Sequence, residues 1–117
     1  MISDDYNRTM KIYKKLVRDN IPDIIEKEGR HAEFISLDDE TFLVALKEKL
    51  VEEAREIVHA KDKGEMIQEL ADLQEVMDKL KEKYLITQTD VNMAQALKAI
   101  KNGKFDKQIF LVSVEEE

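Results

Sequence analysis

The stretch LVALKEKLVEEAREIVHAKDKGEMIQELADLQEVMDKLKEKY, residues 43–84, reads as two amphipathic helices joined by a turn near residues 62–63. Leu43, Leu46, Leu50, Glu53 and Ile57 recur at the three- and four-residue steps of one helical face. Met66, Glu69, Leu73, Val76 and Leu80 form the corresponding face beyond the turn. Glu53 and Glu69 therefore occupy positions where packing alone would place leucine. Each opens a carboxylate pair at i, i+3, Glu53 with Glu56 and Glu69 with Asp72, which sets the pair on one side of its helix, about 5–6 Å apart at Cβ. The two pairs are mirror-placed about the turn, 53 against 72 and 56 against 69. Across an antiparallel hairpin whose axes lie about 8–10 Å apart, four carboxylates would converge. Like charges about 4 Å apart cost on the order of 4 kcal/mol per pair at an effective dielectric near 20, so protons or a metal ion must neutralise them. An all-oxygen ligand set favours Mg²⁺, Mn²⁺ or Ca²⁺.

Working outward, Asp38 or Asp39 is expected to cap the first long helix, about 39–61, and Asp62, Lys63 and Gly64 to make the turn before a second, about 65–84. Leu70, Leu73, Met77, Leu80 and Tyr84 give that second helix a further apolar series, so it should be covered on more than one side. Thr89 or Asp90 should cap another helix running to Asn102, stopped by Gly103, with Val91, Ala94, Leu97 and Ile100 available to pack on the hairpin. On the N-terminal side, Asn20 as cap and Pro22 in the first turn predict a short helix over 21–28, ended by Gly29. HAEFISL, residues 31–37, alternates as a short strand does, and the β-branched run 109–114 is its economical partner. The expected fold class is mainly α: a helical bundle built on the antiparallel hairpin, with a minor two-stranded β ribbon from 32–36 and 109–114. Residues 1–12 are expected to form a loose tail, with Met10 an alternative start, and 13–117 a single domain.

Composition narrows the function. The 117 residues are 38% charged with a formal net charge of −7, which argues against nucleic-acid or anionic-membrane binding driven by global charge. Cysteine is absent, excluding disulfides and thiolate metal sites. With no apolar run long enough to span a membrane and no signal peptide, a cytoplasmic location is expected. Glu56 and His59 form an ExxH, but no second one exists to complete a di-iron ligand set. A typical zinc site and a Gly-rich phosphate loop are likewise missing.

YKKLVRDNIPDIIEKEG at 13–29, with KLVEEAREI at 49–57 and ELADLQEVM at 69–77, resembles the MazG-like superfamily of all-α nucleotide pyrophosphohydrolases. The resemblance covers nearly all of residues 13–114. It is strongest to the phosphoribosyl-ATP pyrophosphohydrolase-like branch, described as house-cleaning nucleotide pyrophosphatases. It implies Mg²⁺-dependent hydrolysis (Mn²⁺ as substitute) of a nucleoside triphosphate to monophosphate and pyrophosphate by water attack at the α-phosphorus. Glu53, Glu56, Glu69 and Asp72 would hold the metal, and Glu52 would stand beside them as general base or supporting carboxylate, with Glu53 also catalytic. Lys15, Arg18, Lys49, Lys98, Lys101 and Lys104 are candidate phosphate-binding cations. Asn102, Gly103 and Lys104 precede Phe105 where the family often carries a basic residue and paired glycines. Association into a homodimer or homotetramer follows from the doubly apolar second helix. Two other functions stay open: phosphoribosyl-ATP hydrolysis in histidine biosynthesis, and a non-enzymatic hairpin module whose acidic positions fix register or bind a basic partner.

Overall fold

The computed structural model describes residues 10–116, which are mainly helical. Four helices follow in order: α1 (Ile21–Lys27), α2 (Asp39–Val58), α3 (Lys63–Lys83) and α4 (Gln88–Asn102). Helix α1 has Pro22 in its first turn, and Gly29, at φ 78°, takes the left-handed conformation that ends it. Asp38 caps α2, its carboxylate accepting from the Thr41 N–H at 2.8 Å, and that donation holds the Asp38 carboxyl below its usual range. None of the four helices is long and apolar enough to cross a membrane.

The chain divides into two compact units, one ending at Leu80 and the other beginning at Lys81, within the last turn of α3. The first unit holds the hairpin. Only residues 59–62 separate α2 from α3, and the helices turn back so that Glu53 meets Glu69 and Asp72. Leu46 and Val76 are the buried apolar residues among those described, 3% and 7% exposed, and Glu53 is buried beside them at 9%. Leu43, Leu50, Ile57, Met66, Leu73 and Leu80 are half-buried on the same two faces. The expected seam is therefore the real one, carboxylates included. In the second unit α4 opens on a capping box: Asp90 N–H donates to the Thr87 hydroxyl at 3.1 Å, and Thr87 N–H donates to the Asp90 carboxylate at 2.9 Å.

Several boundaries differ from the sequence expectation. Helix α2 stops at Val58 rather than 61, and α3 starts at Lys63, with Gly64 inside its first turn. Asp62 causes this. Its side chain accepts from the Glu65 N–H at 2.8 Å, while the Glu65 carboxylate accepts from the Lys61 N–H at 2.8 Å, closing the chain into a helix start two residues early. Thr87, not Thr89 or Asp90, caps α4, because Asp90 serves as the reciprocal partner three residues on. Residues 10–12 of the expected 1–12 tail are irregular and exposed, and the rest of it lies outside the described residues. No strand occurs among the described residues: 32–36 and 109–114 are irregular. A two-stranded ribbon by itself is marginal. Leu97 and Ile100, expected to be covered, are 65% and 82% exposed.

With so few buried apolar side chains, each carries a large share of the hairpin's stability. Leu46→Ala is expected to destabilise by about 2–5 kcal/mol, read as a lower urea midpoint, whereas Val44→Ala on the exposed side of α2 should stay within about 0.5 kcal/mol.

Candidate metal centre

Two helices and one irregular segment of the first unit meet at the acidic face. Glu53, Glu69 and Asp72 each offer a carboxylate oxygen within 4.8 Å of the others. Seam geometry explains it: Leu46, Leu50 and Ile57 turn the same side of α2 inward and bring Glu53 with them, as Leu73 and Val76 do for Glu69. Asp72 stands three residues beyond Glu69 on α3's flank and completes the trio. Glu56, the fourth carboxylate of the expected quartet, falls outside this convergent group and is exposed. It lies on the solvent side of the seam in the last turn of α2, still near enough for its charge to act on Glu69.

Basic side chains crowd the same face. Lys49, one turn before Glu53, is mostly buried, with its Nζ 3.3 Å from Glu52 and 3.4 Å from Glu53. Expected to bind phosphate directly, it is instead committed to two carboxylates. The segment 10–18 reaches the same face, bringing Lys15 Nζ to 3.7 Å from Glu52 and Arg18 to 2.8 Å from Asp72. Lys11 and Lys15 flank the Tyr13 ring, 5.0 and 5.5 Å from its centroid. Pairing of Arg18 with Asp72 was not foreseen from sequence, where 54 residues separate them. The one available signal was that Arg18 directly precedes Asp19 and the Asn20 helix start, which fixes where its segment must end. Lys98, Lys101 and Lys104 are exposed in the second unit, on α4 and just after it. His59 and His31 are exposed outside the helices, so no ExxH ligand face forms.

The charge balance favours a further cation. Six carboxylates, those of Glu52, Glu53, Glu56, Glu65, Glu69 and Asp72, act on this face, against the three cations Lys15, Arg18 and Lys49. Glu69 registers the imbalance. Its carboxyl is raised above the usual range, first by desolvation and then by the charges of Asp72, Glu56, Glu53 and Glu65. The donor set also fits a hard divalent ion, since octahedral oxygens on Mg²⁺ at about 2.1 Å lie roughly 3–4 Å from one another. Small side-chain rotations would bring the trio to that spacing. No family model, curated protein or solved structure matches this chain.

Because folding raises the Glu69 pKa, the native chain holds that proton more tightly than the unfolded one. The resulting penalty is absent below the ordinary value of 4.5, develops as pH rises through it, and is complete above the folded value. In chelator, Glu69→Gln is expected to melt at a higher temperature than the parent at pH 8, with the gain shrinking toward zero at pH 4. An equal gain at both pH values, measured by circular dichroism, would reject charge repulsion as its source.

Proposed function

We propose that the protein is a Mg²⁺-dependent nucleoside triphosphate pyrophosphohydrolase that removes non-standard nucleotides in the cytoplasm. The observation that carries this is the convergence of Glu53 and Glu69, at seam positions where packing alone would place leucine, with Asp72 on the flank of α3. The MazG-like motifs give the convergence its direction toward polyphosphate. As in that superfamily, the products would be a nucleoside monophosphate and pyrophosphate. Water adds to the α-phosphorus, and the bond from that phosphorus to the oxygen leading to the β-phosphate breaks.

When bound, Mg²⁺ supplies neutralisation of the phosphate chain and a more acidic water. Glu53, Glu69 and Asp72 would hold it, with Glu56 at the rim. Glu52 lies next along α2, paired with Lys49 and Lys15, and would serve beside Glu53 as general base or supporting carboxylate. Arg18 is well suited to a phosphate. Its pair with Asp72 is about half exposed on both sides, and such pairs contribute only about 0–1 kcal/mol, so the guanidinium can leave at little cost and present its fork to phosphate oxygens. Lys15, three residues earlier on the same irregular segment, does the same. Lys49 keeps Glu52 and Glu53 in place, and Lys98, Lys101 and Lys104 of the second unit are phosphate-binding candidates through the resemblance alone. The ribbon from 32–36 and 109–114, and a homodimer or homotetramer joined through apolar helix faces, belong to the same proposal.

A hydrolysis panel of standard and modified nucleoside triphosphates with Mg²⁺ or Mn²⁺, read by pyrophosphate release, tests it. Glu53→Gln and Glu69→Gln are each expected to lower turnover at least ~100-fold while the helical signal stays intact. Metal at about 100 times its Kd should stabilise the parent by roughly 2.7 kcal/mol and Glu53→Gln by far less. Full activity in both variants would exclude these carboxylates as metal ligands.

A further inference from the structure

The contact between Arg18 and Asp72 ties a basic, irregular segment to one carboxylate of the acidic trio. Residues 11–18, KIYKKLVR, carry four cations and no acid in a chain of formal net charge −7. Two of these cations meet the hairpin: Arg18 donates to Asp72 Oδ1 at 2.8 Å, and Lys15 Nζ lies 3.7 Å from Glu52. Apolar anchoring is slight, since Leu16 is half-buried while Ile12, Tyr13 and Val17 are exposed. Lys14 stands at φ 48°, a left-handed conformation that a residue with a Cβ adopts at a cost. Ion pairs therefore do most of the holding, and both are exposed enough to be weak.

Asp72 cannot serve Arg18 and a divalent cation at full strength together. An ion held by the trio would lie about 2.1 Å from a carboxylate oxygen, which leaves a guanidinium on that carboxylate roughly 4–5 Å from the ion. Like charges, one of them double, then face each other at short range. The ion draws on Glu53, Glu69 and Asp72 at once, whereas Arg18 gains one exposed pair. Arg18 is therefore the group that leaves. Lys49, mostly buried and shared by Glu52 and Glu53, stays. The opposite relation is a donor that orients a ligating carboxylate and strengthens its hold on the ion. Such a donor has to be fixed, and Arg18 is 58% exposed on a segment without secondary structure.

We propose that the Arg18–Asp72 pair is an autoinhibitory latch: Arg18 and a divalent cation occupy Asp72 in turn, and entry of the ion releases the guanidinium. This exchange presupposes that Glu53, Glu69 and Asp72 hold the metal, as proposed above, and adds the regulation of that site. The coupling is reciprocal, so an anion that draws Arg18 away from Asp72 tightens the ion by the same factor by which the ion favours the anion.

Mn²⁺ alone is the first probe, its free concentration read by electron paramagnetic resonance with the full-length chain. Arg18→Gln is expected to tighten Mn²⁺ binding at least about two-fold, and Lys15→Gln, which removes the same charge from a carboxylate outside the trio, by clearly less. Weaker binding in Arg18→Gln would make the contact an orienting one and overturn the latch. Equal tightening in both variants would reduce it to general charge and overturn it as well. A second measurement follows the Arg18 Nε–H signal of the ¹⁵N-labelled parent as Mg²⁺ is added. That signal is expected to move to the position it has in ion-free Asp72→Asn; a signal unmoved at saturating Mg²⁺ would reject the exchange. Mn²⁺ binding that Glu53→Gln abolishes and Arg18→Gln leaves unchanged sinks the latch alone. Absence of any Glu53-dependent binding, in the parent and in Arg18→Gln, sinks the metal reading itself and the latch with it.

Discussion

Packing between α2 and α3 brings buried Glu53 against half-buried Glu69 and Asp72, and the rest of the first unit is arranged around that constraint. Leu46 and Val76 can be covered only if the two helices approach along their apolar faces. Glu53 and Glu69 are part of those faces, so burial of leucine and valine is inseparable from crowding of negative charge. Replacing the acids with leucine would make a firmer hairpin and remove any reason for a cation to bind. The acids at these two seam positions therefore lower the hairpin's stability relative to an all-apolar seam.

The basic residues fit this arrangement in graded fashion. Lys49, shielded and shared by Glu52 and Glu53, acts as a permanent internal counterion. Arg18 and Lys15 sit on an irregular segment and form more exposed pairs, which are worth less to the fold.

The hairpin was legible because its signal is local and repeated: apolar residues at helical steps, interrupted twice by acids, with an obvious turn between. Three of the four expected ligands converge for the same reason. Glu56 falls outside the convergent group and is exposed, although it has the same i+3 spacing from Glu53 that Asp72 has from Glu69, so spacing alone does not tell the two apart. Helix starts were missed where two side chains compete to cap; Asp62 with Glu65 and Thr87 with Asp90 are reciprocal pairs, and the member that lies outside the helix is the true cap. The contact of Arg18 with Asp72 depends on where an irregular segment runs, which no periodicity encodes. Alternation in 31–37 and the β-branched apolar run 109–114 suggested strands, but such patterns state only that cover is wanted and do not supply the pairing.

The position of the charged layer along the hairpin has a mechanical consequence. Leu46 and Val76 lie on the side of it away from the 59–62 connection, while Ile57 and Met66, only half-buried, are all that closes the seam near that connection. The two ends of one interface are thus unequal in strength and separated by a repulsive band. Amide protons close to the connection should exchange with solvent through small openings that leave the far end shut, and a cation seated in the band would couple the two ends into a single cooperative unit.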